Sequence, residues 1–316
     1  MKILFHDNQL GERGTSVALY DYAYFCREYF NIEPIISYNK FAEHNNKLAE
    51  EKFKKEFKVI GYENFSEVDR LIDSVGIEYF YCIKSGFIDE IQVSNAKNLI
   101  HSVYNCDPSQ IHGHKYATVS KWQSSVFDNV LPYVPHMINL PTVEENLRED
   151  LGIPSTAIVF GRHGGYDTFD VPFINKSIIE ALENRDDFWF ILMNTPREIN
   201  HPRCIYLDIN VDLIYKSSFI NTCDFMIHGG FRGETFGISV LEFATRNKQI
   251  IAFDNYVGGR NHHLYLNGNY HLYSNEENLK HIFDNAQKKS PFDTLYLKDE
   301  FSSNNVMEKF KEVFLT

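Results

Sequence analysis

Short apolar runs alternate with amphipathic stretches along the first half of the chain. A helix is predicted to begin near Thr15, because apolar side chains then recur at the spacing of one helix face, at Leu19, Tyr22, Cys26 and Tyr29. Alternation of strand-like and helix-like segments predicts a parallel sheet covered by helices. The runs that predict strands in this half are 3–6, 34–37, 58–60, 78–83, 98–103 and 116–119.

The same alternation restarts after a stretch that is interrupted by prolines. Pro132, Pro135, Pro141 and Pro154 interrupt an acidic segment, which is typical of a connection between domains. Helices are then predicted over 173–184 and 213–221. Two such halves predict two doubly wound lobes, which bind ligands beyond the carboxyl ends of their strands. The strands predicted in the second half are 157–160, 188–193, 204–207, 225–227 and 249–253.

Length, charge and cysteine content narrow the class of protein. A chain of 316 residues predicts two domains, at about 100–200 residues each. A net charge of −12 argues against nucleic acid and anionic lipid as partners. Five scattered cysteines without a C-x-x-C pair predict reduced thiols. Because no apolar run approaches the ~18 residues of a membrane span and the N-terminus lacks a signal-peptide pattern, we expect a soluble, cytoplasmic protein without an integral membrane segment.

Two carboxylates, Glu234 and Glu242, stand eight positions apart in the second half. They follow a short apolar run and a glycine-rich loop, and a helix is predicted to begin near Gly237. The first backbone N–H groups of a helix have no intrahelical partners, so they favour an anion such as phosphate. The two carboxylates are then placed to accept hydrogen bonds from hydroxyls on both sides of a phosphate. The alternative is a capping carboxylate followed by a solvated helix residue.

This segment resembles the Glu-x7-Glu signature of retaining glycosyltransferases with the two-lobed GT-B fold, in particular glycosyltransferase family four. Order and spacing agree over residues 157–255, and the resemblance is looser over the N-terminal lobe. It implies contacts with the donor sugar by the first carboxylate and the turn, with phosphate by the helix start, and with ribose by the second carboxylate. The sugar contacts fall on Glu234, Phe236 and Gly237. The phosphate contacts fall on Ile238 and Ser239, and the ribose contact falls on Glu242.

The stretch after the first strand of the second lobe carries an arginine that resembles a diphosphate-binding arginine of the family. This residue is Arg162, for which a surface ion pair is the alternative role. The family also has a lysine a few residues later, and no lysine stands there in this chain. The resemblance therefore implies replacement by other groups. The candidates are the N–H groups of His163, Gly164 and Gly165, or a cation such as Arg232 or Arg260.

Further candidates lie in the first lobe. His101, at a strand end, resembles a family histidine that faces the donor sugar across the cleft, although a strand-end histidine can equally be structural. Gly11 and Gly14 resemble the family's glycine loop near the phosphates, and a plain tight turn is the alternative. No metal site is expected, because the pairs His112/His114 and His262/His263 lack nearby ligands at a suitable spacing.

Together these features predict an α/β protein of the GT-B fold, with two Rossmann-like domains facing a cleft. Residues 1–145 form the predicted acceptor lobe, 146–298 the donor lobe, and 299–316 a helix that returns to the first lobe. The implied activity is transfer of a sugar from a donor such as a UDP- or GDP-sugar to a hydroxyl of a glycan, lipid or small molecule, with retention and without metal or cofactor. The alternatives are a nucleotide-sugar epimerase of the same fold and a non-catalytic nucleotide-sugar-binding protein.

Overall fold

The computed structural model describes residues 1–126, 128, 130–254 and 258–316, and position 255, where the family resemblance ends, lies outside them. The chain divides into two compact units. The first unit comprises Met1–Asn139 and Phe301–Thr316, and the second comprises Leu140–Glu300. The sequence predicted these boundaries after residues 145 and 298.

The first unit is built on a parallel sheet of six strands in the order β3-β2-β1-β4-β5-β6. Each predicted strand of this half is present within about two residues of its predicted bounds. The strands are β1 Lys2–His6, β2 Glu33–Asn39, β3 Lys58–Tyr62, β4 Tyr79–Lys84, β5 Lys97–Ser102 and β6 Lys115–Thr118. The helices are α1 Gly14–Phe30, α2 Lys47–Glu56, α3 Ser66–Val75 and α4 Lys121–Val126, with a single 3-10 turn at Pro108–Gln110.

The second unit contains another parallel sheet of six strands, in the order β14-β12-β10-β7-β8-β9, and a separate two-stranded ladder of β11 and β13. The strands are β7 Ile158–Arg162, β8 Phe188–Met193, β9 Cys204–Leu207, β10 Phe225–Ile227, β11 Gly233–Glu234, β12 Gln249–Phe253, β13 Gly259–Arg260 and β14 His271–Tyr273. The helices are α5 Ile174–Asn184, α6 Leu213–Thr222, α7 Ile238–Ala244, α8 Asn261–Leu266, α9 Glu276–Asp284 and α10 Leu297–Glu300. The sequence did not predict β11, β13 or β14.

Aromatic side chains fill the core of the second unit. The Phe160 ring on β7 stacks on Phe190 at 4.8 Å and on Phe225 at 4.9 Å between ring centroids, and it meets Phe188 and Phe283 edge-on. Aromatic pairs at these separations add to the free energy gained by burying their area. The central strands β7, β8 and β10 are therefore held at fixed positions, and the loops at their carboxyl ends start from a rigid frame.

The connection between the two units belongs to the second unit from Leu140 onward. The backbone carbonyl of Pro141 accepts a hydrogen bond from Ser217 Oγ on α6, and that of Val143 accepts one from Asn221 Nδ2. These contacts explain why the boundary lies earlier in the chain than predicted.

The C-terminal segment belongs to the first unit. It forms α11 (Ser303–Phe310) and a π-helical turn at Lys311–Leu315. Phe310 stacks on Tyr22 of α1 at 5.1 Å between ring centroids, and Phe314 meets Tyr81 of β4 at 5.5 Å.

Among the described residues, no helix combines the length and the apolar character needed to cross a membrane.

Candidate functional site

The ladder of β11 and β13 joins the glycine-rich loop before Glu234 to the segment that carries Arg260. Gly233 pairs with Gly259, and Glu234 pairs with Arg260. A Cβ at Gly233 would lie 2.2 Å from the Gly259 oxygen, and one at Gly259 would lie 2.5 Å from the carbonyl carbon of Glu234. Gly233 also has φ 65°, which favours glycine. This close approach fixes the backbone of Glu234.

Glu234 lies at the edge of a cluster of histidines. Its side chain is 31% exposed, and its Oε1 lies 3.4 Å from Nε2 of the buried His228, which follows β10. The His262 ring lies 4.8 Å from the His228 ring, and the His263 ring lies 4.1 Å from that of His262. Burial, together with the two neighbouring histidines, holds the pKa of His262 well below its usual value, so this ring is neutral at pH 7.

The turn at Phe236 and Gly237 precedes α7, which begins at Ile238 as the sequence predicted. Gly237 has φ 90°, and a Cβ there would lie 3.2 Å from the Glu234 Cβ. The Phe236 carbonyl accepts a hydrogen bond from Asn261 Nδ2 at 3.0 Å, and the Gly237 carbonyl accepts one from the Tyr265 hydroxyl at 3.1 Å. Helix α8 therefore fixes this turn. Ile238 and Ser239 are half-buried at the helix start.

Glu242 is buried, so the alternative of a solvated helix residue is wrong. Its Oε1 lies 2.8 Å from Lys216 Nζ on α6, and its Oε2 lies 2.9 Å from His163 Nε2. Burial alone raises the pKa of Glu242, but Lys216 and His163 outweigh it and the pKa falls to about 2. Burial also lowers the pKa of His163, so this imidazole is neutral at pH 7 and Lys216 supplies the opposite charge.

Lys216, the partner of Glu242, is a residue of the candidate site that the sequence analysis did not single out. It is the one charged side chain in α6, whose other residues are Leu213, Ile214, Tyr215 and the uncharged run 217–222. A lone charge in an otherwise uncharged helix is rarely buried without a partner. That pattern was the available signal, although it does not reveal which carboxylate is the partner.

Arg162, at the end of β7, is buried and does not form a surface ion pair. Its Nη1 donates to the Asn194 oxygen and to Thr195 Oγ1, both at 2.7 Å, and its Nη2 donates to the Gly165 oxygen at 2.6 Å and to Thr168 Oγ1 at 2.8 Å. Burial lowers the pKa of Arg162 to about 10, so the guanidinium stays protonated at pH 7.

The charge of Arg162 is not neutralised by these contacts. All five hydrogen bonds that this guanidinium donates to described residues end on neutral carbonyl or hydroxyl oxygens. The carboxylates of Glu234, Asp167 and Asp170 act on it electrostatically and oppose the lowering of its pKa. The end of β7 therefore holds a fixed positive charge in the unit that carries Glu234.

Three of the remaining candidates for phosphate contact have described contacts with neighbouring groups. The Gly164 carbonyl accepts a hydrogen bond from Asn194 Nδ2 at 2.9 Å. Arg260 Nη2 lies 2.7 Å from Asp254 Oδ2. The His163 ring stacks on Phe243 at 5.5 Å between ring centroids.

His101 is fully buried in the first unit. Its Nε2 lies 2.9 Å from the Val134 carbonyl and donates to it, so Nδ1 accepts from the Tyr81 hydroxyl at 2.6 Å. The ring also lies 5.4 Å from the Phe314 ring of the C-terminal segment. Burial lowers the pKa of His101 to about 4. These contacts favour the structural role that the sequence left open, and they leave no ring nitrogen for a sugar in this conformation.

Gly14 is the exposed first residue of α1, and the loop before it is closed by a buried carboxylate. Gly11 N donates to Ser16 Oγ at 3.1 Å, and Ser16 Oγ donates to Asp7 Oδ2 at 3.0 Å. Burial raises the pKa of Asp7 to about 6. A Cβ at Gly11 would lie 2.7 Å from the His44 carbonyl oxygen. Gly11 is therefore required for packing.

Within the described ranges, no group of three or more His, Cys, Asp or Glu side chains has the geometry of a metal site, and this includes the histidine cluster beside Glu234.

No family model matches the chain, and no curated protein matches it in sequence. Solved structures resemble it along its whole length. A glycosyltransferase from Rickettsia africae is 16% identical with a TM-score of 0.73, and covers 99% of this chain and 98% of its own. HepE of Anabaena, in complex with UDP-glucose, is 14% identical with a TM-score of 0.76 and the same coverage. A putative UDP-N-acetylglucosamine 2-epimerase from Listeria monocytogenes is 10% identical with a TM-score of 0.58, and covers 99% and 96%.

These similarities define the class of the fold. The protein is an α/β protein with two parallel six-stranded sheets, and it has the GT-B fold of glycosyltransferase structures. The predicted fold class is thereby confirmed.

Proposed function

We propose that this protein is a glycosyltransferase that transfers a sugar from a nucleotide-sugar donor to a hydroxyl acceptor with retention of configuration. One observation carries the proposal. The Glu-x7-Glu segment forms a fixed strand-turn-helix in which Glu234 is partly exposed and the backbone around it is held by glycine contacts. HepE, which has the same fold, is bound to UDP-glucose, and this supports a UDP-sugar as the donor.

The proposed donor contacts follow the family resemblance. Glu234 accepts hydrogen bonds from the sugar, the turn at Phe236 and Gly237 lies beside it, and Ile238 and Ser239 contact phosphate. Glu242, ionised by its pairing with Lys216, is the proposed ribose acceptor. Because Glu242 already accepts from Lys216, ribose binding requires the ligand to share the carboxylate or displace the ammonium.

In the proposed reaction, the acceptor oxygen bonds to the anomeric carbon on the face from which the diphosphate leaves. The bond between that carbon and the phosphate oxygen breaks, and a leaving phosphate oxygen takes the acceptor proton. The protein contributes positioning and charge stabilisation. Arg162 suits this role because its charge is fixed in place by neutral oxygens before the donor arrives. The proposal includes neither a metal nor a cofactor.

Two alternatives remain within the same fold. A nucleotide-sugar epimerase would change its sugar without an acceptor. The similarity to the putative Listeria epimerase supports this alternative, although its TM-score of 0.58 is below the 0.73 of the Rickettsia glycosyltransferase. A non-catalytic nucleotide-sugar-binding protein would bind without turnover.

A cytoplasmic location is part of the proposal, and the five buried, free cysteines suit a reducing compartment.

A thermal-shift screen with UDP, GDP and their sugars tests the proposal first. A ligand that binds only the native state at 100 times its Kd adds about 2.7 kcal/mol to the free energy of unfolding. The ligand that stabilises the protein is then incubated with hydroxyl acceptors, and NMR of the product determines its anomeric configuration. A retained glycoside supports the proposal. Absence of stabilisation by every nucleotide, or an inverted glycoside, contradicts it.

A further inference from the structure

We propose that His228 and Glu234 together bind one hydroxyl group of the donor sugar, between Nε2 of the imidazole and Oε1 of the carboxylate. This inference rests on the proposed function and adds to it a sugar-binding residue that the Glu-x7-Glu resemblance does not include. The histidine follows β10, six positions before Glu234.

The imidazole of His228 is buried, yet neither ring nitrogen has a hydrogen-bond partner in the described part of the chain. Buried polar groups in native proteins are nearly always hydrogen-bonded, so an unpartnered donor points to a partner outside the protein chain. The same ring has Glu234, which is partly exposed, as its neighbour. The donor group of His228 is therefore buried, but it lies next to a side chain that solvent reaches.

The distance between the two side chains suits a bridging hydroxyl. At 3.4 Å, Nε2 and Oε1 are beyond the roughly 2.7–3.2 Å of a good direct N–H···O bond. An oxygen can lie about 2.8 Å from both atoms when it is placed to one side of the line that joins them. A hydroxyl can accept the imidazole N–H and donate its own proton to the carboxylate, whereas a phosphate oxygen can only accept. The pair therefore selects a neutral hydroxyl over an anion.

Glycine leaves the space that such a ligand requires. A Cβ at Gly230 would lie 3.3 Å from Nε2 of His228, so the absence of a side chain there keeps this side of the ring open. Two hydrogen bonds fix the backbone of His228: its N–H donates to the Ile251 carbonyl at 2.9 Å, and its carbonyl accepts from the Tyr273 hydroxyl at 2.6 Å. His228 is thus held in place before the ligand arrives, which favours binding.

The neighbouring His262 adds no positive charge to this pair. His262 packs against His228 with 4.8 Å between ring centroids and is neutral at pH 7. His262 therefore adds no charge beside the proposed hydroxyl, and the carboxylate of Glu234 favours a ligand that donates a hydrogen bond there.

The test compares the binding of UDP and UDP-glucose by calorimetry in the wild type and in two variants. His228→Leu removes the N–H donor and keeps apolar volume, whereas His228→Gln retains an amide N–H near the position of Nε2. We expect His228→Leu to weaken UDP-glucose binding roughly tenfold and to leave UDP binding unchanged, and we expect His228→Gln to recover most of the loss. Circular dichroism and urea midpoints confirm that both variants are folded.

A matched control and a set of analogues sharpen the result. His112, in the first unit, also has an unpartnered buried Nε2, and His112→Leu is expected to change neither affinity. UDP-glucose analogues that lack one hydroxyl each should include one whose affinity falls in the wild type and does not fall further in His228→Leu, because both changes remove the same contact.

Three outcomes contradict the inference. Equal loss of UDP and UDP-glucose affinity in folded His228→Leu would show a structural role, and unchanged affinity for both would exclude His228 from the site. A wild type that binds UDP, but binds UDP-glucose no more tightly than UDP, would overturn the inference and leave nucleotide binding intact. Failure of the wild type to bind UDP would instead count against the proposed function on which the inference rests.

Discussion

Replacement of Glu242 by glutamine tests the buried pair of Glu242 and Lys216 directly, because Glu242→Gln keeps the shape and removes the charge. The pKa of Glu242 is about 2 in the folded protein, against an ordinary value of 4.5. That difference of about 2.5, at about 1.36 kcal/mol for each pH unit, corresponds to about 3 kcal/mol of stability from the ionised carboxylate. Glutamine loses this contribution and leaves the ammonium of Lys216, whose side chain is 12% exposed, beside a neutral amide.

The pH dependence of this loss has a definite sign. Because the folded-state pKa lies below the unfolded value, the stabilisation is fully present above about pH 4.5 and is lost as the pH falls from 4.5 towards 2. The free energy of unfolding of Glu242→Gln, measured by urea denaturation, should therefore be lower than that of the wild type by about 3 kcal/mol at pH 7. This deficit should be smaller at pH 3. The double variant Lys216→Met/Glu242→Gln should recover part of it, because the unpaired ammonium is also removed.

A deficit below about 0.5 kcal/mol at pH 7, or one that does not change with pH, would refute the reasoning. The same variant, where folded, also tests the role implied by resemblance. If Glu242 binds ribose in both ground and transition states, the donor KM rises while kcat is kept. A normal donor KM would leave Glu242 with the structural role alone.

Four further predictions concern the positive charge of Arg162, the sugar contact of Glu234, the independence of the reaction from metal ions, and the buried His101 of the first unit. Arg162→Ala should lower kcat by on the order of 10²-fold, since it removes a preorganised positive charge, and unchanged kcat in steady-state assays would remove Arg162 from the mechanism. Folded Glu234→Gln should lower kcat more than it raises the donor KM, and a normal kcat would contradict a transition-state role. Transfer should continue in excess chelator, and activity that is lost and then restored by magnesium or manganese would show that a metal is needed. Burial lowers the pKa of His101 from 6.5 to about 4, so the free energy of unfolding should fall by about 3 kcal/mol as the pH falls from 6.5 to 4. In His101→Gln, the free energy of unfolding measured by urea denaturation should depend less on pH over that range.

The sequence by itself determined the fold class and the position of the main motif. Buried strands and helix starts depend on patterns within about ten residues, so β8 (Phe188–Met193) and the start of α7 at Ile238 follow from local apolar runs and from Gly237. The spacing of Glu234 and Glu242 is a linear feature, and the turn between them keeps both in one segment.

Tertiary structure decided what surrounds these residues, because contacts between residues distant in sequence depend on how loops and helices pack. The pairing of Glu242 with Lys216 joins positions 26 apart, and the ladder that fixes Glu234 depends on the close approach of Gly233 and Gly259. The environment of Arg162 likewise depends on backbone carbonyls that sequence patterns do not locate. An ionisable side chain takes its charge state from burial and from its neighbours, and only the folded arrangement fixes both.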